Sequence, residues 1–474
     1  MPTSTTKRHH PFRYPGFLRL PQELLDEIIS VLDHADLVSL ALVCRASSTL
    51  VIPRHTEYRV LRTRHLLPTM WAHLARRADL TRNIREVHIC ERTNKTASDR
   101  VPKTLVDPIN DGKAGGHLID EGMRIRNMCT ALGHMRQLHT FTWSWEVTPP
   151  AAALPTVEPG HENAVLAVLA RKKTLRHLGL SGSFGSHAPG LPYDPESVGY
   201  PLWGFANLTS ICLRGDAWIK PTNAIHLKRL LTRSPGLEYI EMPMEVSVLA
   251  DGKFPHLKKL SLFLQSGGVR SIDPSIVRFL DSHPTIEDLS WLPLGPVYIS
   301  PRTLPALKRL RTNIQVVGML ESPVIECLDI YQLDPGTLVE LRNLQRGSVH
   351  RVKLHAFGEL RALHELAELF PDLTWLSMPS RYGHFSLDDW LSLLPRFKKL
   401  EVFRGQGLWA AVTLNMQRMH GVILQLVQTC PNLRQLDHCA HNEARQDWNR
   451  IVIIREGPEG ENVRYKVRLG NLAG

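Results

Sequence analysis

The chain has 474 residues, 43% of them apolar, with 57 Lys and Arg against 46 Asp and Glu for a formal net charge of +11. A chain of this length can bury a large core and is expected to form more than one domain, and no window approaches the ~18 uninterrupted apolar residues of a membrane span. Seven cysteines without a CxxC pair, odd in number, argue against a closed disulfide framework and for a soluble protein of the cytoplasm, the nucleus or both.

Residues 1–16, MPTSTTKRHHPFRYPG, lack the apolar run of a signal peptide and read as a disordered tail. The first element opens at a Leu-Pro pair. Pro21 suits the first position of a helix, where its missing N–H has no intrahelical partner. Leu24, Ile28 and Leu32 recur at helical spacing and share a face. Glu23, Asp26 and Glu27 fall in the first turns, where the helix dipole favours negative charge. Asp36 is the expected N-cap of a second helix carrying Leu37, Leu40, Ala41 and Cys44 at helical spacing. Val43-Cys44-Arg45 then leads into a third. So short a module cannot bury all these apolar residues itself, which makes Leu20, Pro21, Leu24, Ile28 and Leu37 candidates for a partner surface.

The Leu-Pro, Asp-Leu and Val-Cys-Arg marks, in this order within residues 18–50, resemble the F-box, the helical module that docks a substrate receptor onto the Skp-type adaptor of a cullin ubiquitin ligase. The resemblance implies an F-box over residues 17–60, with Leu20, Pro21, Leu24, Ile28, Leu32, Leu37, Leu40, Val43 and Cys44 contacting the adaptor. Where many F-boxes carry a Trp soon after Val-Cys-Arg, this chain has Ala46, Ser47 and Ser48. A helical cap on the next domain is the alternative reading of the same segment.

Residues 61–81 are expected as a helical linker. Residues 54–92 hold nine Arg against four acidic residues. A nucleic-acid patch is one reading of that excess. With no Lys and little aromatic interleaving for base stacking, a solvated helix face is favoured, and such a face would also attract an acidic partner.

From 82 to 445 a short motif recurs: an apolar residue, two others, an apolar residue, one other, and usually a third apolar residue. NLTSICL at 207–213, HLKKLSL at 256–262 and DLTWLSM at 372–378 are clear copies. The first apolar position falls at Ile84, Leu138, Leu175, Leu208, Leu237, Leu257, Ile286, Leu307, Ile325, Val349, Leu373, Phe397 and Leu433. Most intervals lie near the roughly 20–29 residues of a leucine-rich repeat. Amphipathic runs ended by Pro, such as PSIVRFLDSHP and GVILQLVQTCP, precede many copies and predict a helix followed by a short strand. Units of this kind cover their apolar faces only by stacking.

The expected fold is therefore α/β: a small N-terminal helical F-box followed by an irregular leucine-rich-repeat-like solenoid of short parallel strands plus helices. It is irregular because no copy has Asn or Cys where a standard repeat bonds its exposed backbone. A helical solenoid is the runner-up. Gly- and Pro-rich insertions at 93–116, 146–163 and 182–201 are expected as loops, either without a function or presenting His187, Tyr193, Tyr200 and Trp203 to a partner. RIVIIRE and VRYKVRL alternate around GPEGEN at 457–462 and predict a C-terminal hairpin cap within 446–474.

The chain holds no GxGxxG, no P-loop, no GxSxG and no HExxH. His438, Cys439 and His441, with Cys430 nearby, are the densest ligand-like cluster. Zinc needs four ligands at repeatable spacing, and this cluster overlaps the last repeat, so packing is the favoured reading. No catalytic, cofactor-binding or metal residue is assigned, and no cofactor is expected. The whole architecture resembles the F-box receptor proteins of filamentous fungi. That implies a non-catalytic substrate-recognition subunit of an SCF-type cullin-RING ubiquitin ligase. Its partners would be a Skp-type adaptor, a cullin through it, and an unidentified protein substrate, with no membrane and with nucleic acid disfavoured. The alternative is a repeat scaffold whose F-box-like helices only cap the solenoid or bind the adaptor outside a ligase.

Overall fold

A computed structural model of the chain describes residues 16–52, 54–63, 68–90, 121–145, 159–182, 184, 199–215, 218, 220–243, 248–249, 251–263, 274–293, 295–320, 324–344, 348–379, 385–412, 415–442, 447–456 and 462–468. The tail as far as residue 15, the insertion at 93–116, and most of those at 146–163 and 182–201, with His187 and Tyr193, lie outside the described residues. The chain divides into two units. Residues 1–89, 99–141 and 171–175 form the first, and residues 90–98, 142–170 and 176–474 the second.

In the first unit a 3-10 turn at Gly16–Arg19 leads into α1 (Gln22–Val31), α2 (His34–Val43) and α3 (Arg45–Val51). Pro21 stands just before α1 as its N-cap rather than at its first position, and its carbonyl accepts the Leu25 N–H at 3.1 Å to start the helical ladder. The second helix also begins earlier than its sequence suggests. Asp33, not Asp36, is its N-cap, with the Asp33 carboxylate accepting the Asp36 N–H at 2.8 Å. A short carboxylate reaches the N–H three residues on, and Asp36 then lies in the first turn, where the dipole favours its charge. The third helix forms without a Trp. Cys44 caps it, its Sγ accepting the Ser47 N–H at 3.4 Å and lying 3.2 Å from the Ser47 hydroxyl. Ile29, Leu37 and Val51 make the core of this module, with Leu32, Leu40 and Ala41 packed against it.

The segment expected as a helical linker opens instead on a strand, β1 (Val60–Thr63), before α4 (Pro68–Arg76) and α5 (Ala78–Thr81). Alternate burial of Leu61 and Thr63 gives that stretch the period of a strand rather than a helix. β2 (Glu86–Cys90) and α6 (Glu121–His134) follow. β1 and β2 pair in parallel, Val60 opposite Glu86 through Thr63 opposite Ile89. α4 packs against α6, and Trp71, Leu74, Met128 and Leu132 are buried there. β3 (Thr140–Trp145) runs across the boundary between Phe141 and Thr142.

The second unit repeats one theme. After α7 (Pro159–Ala170) come β4 (His177–Gly182), β5 (Ser210–Arg214), α8 (Pro221–Thr232), β6 (Tyr239–Pro243) and β7 (Lys259–Phe263). The middle holds α9 (Pro274–Asp281), β8 (Asp288–Ser290), β9 (Arg309–Thr312), α10 (Ile314–Met319), β10 (Cys327–Leu333) and α11 (Pro335–Leu341). Next are β11 (Arg351–Phe357), α12 (Leu360–Leu369), β12 (Trp375–Ser377), α13 (Leu387–Leu393), β13 (Val402–Arg404) and α14 (Gly407–Ala410). α15 (Met416–Thr429), β14 (Gln435–Asn442), β15 (Asp447–Glu456) and β16 (Asn462–Arg468) end the described chain. The strands stand in the sheet in the order of the sequence. β4 to β14 pair in parallel, while β15 and β16 turn antiparallel, with Arg450 opposite Arg468 through Glu456 opposite Asn462.

Register is kept by a recurring bond. The carbonyl just before each strand accepts two N–H groups from the next step: Glu238 accepts from Lys258 and Lys259, Lys258 from Glu287 and Asp288, and Glu287 from Lys308 and Arg309. Each strand therefore starts two residues after a repeat's first apolar position, as β7 follows Leu257 and β10 follows Ile325. Phe397 is the exception, because an extra 3-10 turn at Leu394–Arg396 moves the strand on. Phe397 becomes the turn residue whose carbonyl accepts the Leu400 N–H at 3.1 Å, and Leu400 takes the repeat position before β13. Both side chains are buried, so the apolar pattern alone does not separate them.

Candidate functional site

The two long helices of the N-terminal module are apolar on two sides. In α1, Leu25 and Ile29 are buried, while Leu24, Ile28 and Val31, at i, i+4 and i+7, stay exposed, Val31 to 79%. In α2, Leu37 is 1% exposed, whereas Val38 and Leu42, one turn apart, are open, Leu42 to 81%. Leu20, Val43 and Ile52 add to the exposed set. Among the described residues, eight of the sixteen large apolar side chains that stand exposed lie between Leu20 and Ile52. A concentration of that kind makes this face a candidate interaction surface.

Of the side chains assigned to the adaptor from the sequence, Leu20, Pro21, Leu24, Ile28 and Val43 are exposed, and Leu32, Leu40 and Cys44 are half-buried. Leu37 is a correction. The stripe it shares with Leu40 and Ala41 faces the module's own core, because three short helices need that stripe to hold together. Val31, Val38 and Leu42, outside that set, are exposed as well, and their signal in the sequence is a second helical period, Ile28 to Val31 and Val38 to Leu42. The Cys44 thiol is engaged as a helix cap, and its hydrogen bonds with Ser47 pull its pKa down.

Asp26, on the buried side of α1, fixes how the outer face is presented. Its carboxylate accepts from Gln22 Nε2 at 2.9 Å, from His55 Nε2 at 3.4 Å and from Arg82. Burial lowers the His55 pKa, against the opposing pull of Asp26. The Arg-rich stretch is partly accounted for in the same way. Arg77 makes a two-point pair with Asp79 at 2.8 and 2.9 Å. Arg59 and Arg85 are half-buried, and burial lowers the pKa of each.

The second unit presents a charged sheet face. An open groove of about 610 Å³ is lined mainly by the outward residues of successive strands, from Arg214 on β5 to Trp375 on β12. Lys259 sits 4.8 Å over the Tyr239 ring and 3.4 Å from Asp288. Arg311 and Lys353 reach Asp329 at 3.6 and 4.0 Å, and His355 bonds the same carboxylate.

One sequence expectation changes here. Tyr200 and Trp203 are not loop contacts but core: Tyr200 donates to the buried Glu162 carboxylate, and Trp203 stacks on His226 at 5.3 Å. His438 is buried with Nδ1 accepting the Ala440 N–H at 3.0 Å, and burial lowers its pKa while raising those of Cys430 and Cys439. The His441 side chain lies outside the described residues. Among the described residues no three His, Cys, Asp or Glu side chains gather as metal ligands, and no helix is long and apolar enough to cross a membrane.

Among curated proteins, none matches the chain. The family model described as F-box-like matches residues 17–52, the three-helix module with the exposed apolar rows. Domains of this family typically bind Skp-type adaptors. The chain thus carries an F-box-like domain at its N-terminal end, followed by an α/β region built on a mostly parallel sheet.

Proposed function

We propose that this chain is the substrate-recognition subunit of an SCF-type cullin-RING ubiquitin ligase. On this reading α1–α3 dock the Skp-type adaptor, and through it a cullin, while the α/β region holds a protein substrate. The observation that carries it is the coincidence of the F-box-like match with the exposed rows Leu24, Ile28, Val31 and Val38, Leu42. A stable interface buries on the order of 1,200–2,000 Å², and each Leu, Ile or Val fully covered there contributes about 1.5–3 kcal/mol. The rows are large enough to supply its anchors.

The protein makes and breaks no bond itself in this role. It raises the effective concentration of a substrate lysine near the ubiquitin-conjugating enzyme. The α/β region is read as leucine-rich-repeat-like because short parallel strands and helices recur at near-constant spacing. Kinship with fungal F-box receptors rests on that architecture, and the site of action is the cytoplasm, the nucleus or both.

Retention of recombinant Skp-type adaptor and cullin by the tagged full chain tests the proposal. The unchanged chain is expected to retain both, and a chain with Pro21→Ala, Leu24→Ala and Ile28→Asp neither. Adaptor binding that survives the triple change contradicts the docking surface. Adaptor retained without cullin favours a scaffold acting outside a ligase.

A further inference from the structure

The outward side chains of β9, β10 and β11 form two rows that differ in charge balance. In one, Asp329 lies between Arg311 and Lys353 and answers both. In the other, strand register sets Arg309 and Arg351 on either side of Cys327, with Asp288, which answers Lys259, opposite Arg309 on β8. Neither arginine makes an ion pair among the described residues. Arg351 is held in place by Trp375, its guanidinium 4.8 Å over the indole ring. Both guanidinium groups are near enough to pull down the Cys327 thiol pKa, against the burial that raises it. Of the six Lys and Arg around the groove, Glu241 answers Arg214, Asp288 answers Lys259, and Asp329 answers Arg311 and Lys353, which leaves Arg309 and Arg351.

We propose that this face binds an acidic, extended segment of a protein partner, with two of its carboxylates seated on Arg309 and Arg351 across the small side chain of Cys327. The inference rests on the substrate-receptor reading and names the class of substrate. A guanidinium takes a carboxylate through two parallel N–H bonds, and the unanswered cations supply the charge complementarity that steers such a segment to the face. Trp375 and Tyr239 supply apolar edges for the residues between its charges. The two arginines stand two strands apart, about 9–10 Å between backbones. That separation suits two single carboxylates rather than one phosphate. A nucleic-acid backbone carries a phosphate at every residue and cannot avoid Asp288 and Asp329, whereas a peptide with carboxylates at the two arginines can place uncharged residues over them.

Fluorescence anisotropy of a labelled glutamate decapeptide against the full chain tests this, with a glutamine decapeptide, a singly phosphorylated serine peptide and a thymidylate decamer as comparisons. The glutamate peptide is expected to bind saturably, more weakly as salt rises. The Arg309→Gln, Arg351→Gln double variant should weaken it at least tenfold, whereas Arg361→Gln on the exposed face of α12 should leave it unchanged. Both variants should retain the thermal midpoint of the unchanged chain, since all three side chains are exposed. No saturable binding, equal binding by the double variant, or tighter binding of the phosphopeptide or the oligonucleotide overturns the inference. Adaptor retention is measured on the same preparations. A chain that keeps the adaptor but not the peptide refutes the acidic-segment inference alone. One that keeps the peptide but not the adaptor refutes the receptor reading and leaves the anion-binding face standing.

Discussion

Arg82 donates to the carboxylate of Asp26, so the first helix of the F-box-like domain is held by a side chain outside the matched span of 17–52. Asp26 is nearly buried, whereas the Arg82 side chain is 37% exposed. Arg82→Ala leaves that carboxylate to Gln22 and His55. The expected loss is about 1–2 kcal/mol, the lower part of the range for charged partners because solvent reaches the guanidinium. Urea denaturation followed by circular dichroism checks it, with Arg76→Ala, an exposed arginine of α4, as the unaffected comparison.

A larger cost is expected at Asp437. This buried carboxylate accepts from Arg450, from Arg404 at 3.4 Å and from the Gly405 N–H at 3.0 Å. Gly405 has a φ of +140°, and a Cβ there would lie 2.9 Å from the Met378 Cβ. The carboxylate therefore ties a strained backbone turn to β15. Asp437→Ala takes the carboxylate away from two mostly buried guanidinium groups and should cost about 3–5 kcal/mol, read as a fall in the thermal midpoint.

Tyr200 and Glu162 form a fully buried pair, and burial first, then the Glu162 charge, pushes the Tyr200 pKa well above its usual value. The phenol stays protonated and keeps donating. Tyr200→Phe removes the donor without emptying the space, for an expected loss of about 1–3 kcal/mol. The thermal midpoint should fall accordingly while the circular dichroism spectrum at low temperature is unchanged.

Stability should decline in mildly acidic solution. In His283, Nδ1 donates to the Phe279 carbonyl at 2.7 Å and Nε2 accepts the Phe254 N–H at 3.0 Å, a pattern that requires the neutral ring. Burial lowers its pKa, as it does those of His55, His73, His364 and His438. A histidine depressed in the folded state contributes stability that is fully present above its unfolded pKa of about 6.5 and is lost as pH falls through the folded value. Denaturation midpoints should be flat from pH 8 to 7 and fall below about pH 6.5, less steeply in His283→Gln.

The sequence showed the repeat well because one constraint set it. Each strand buries alternate residues against the same core, so Leu257, Leu260 and Leu262 recur with the same spacing as Leu208, Ile211 and Leu213. Phe397 was misplaced because a three-residue turn is invisible when the residues on both sides of it are apolar. Leu37 was misassigned for a related reason: α2 is apolar on both sides, and a helical period does not say which side meets the core. Glu162 and Tyr200 lie 38 residues apart and share no local pattern. Arg309 and Arg351 become neighbours of Cys327 only once strand register is known.

The most direct measurement is a calorimetric titration of the full chain with purified Skp-type adaptor, repeated with Val31→Asp and Leu42→Asp. Both residues are exposed and absent from the core, so neither change should disturb folding. One-to-one binding by the unchanged chain is expected, weakened about tenfold or more by each substitution. Absence of binding by the unchanged chain, or equal affinity in all three proteins, would contradict it.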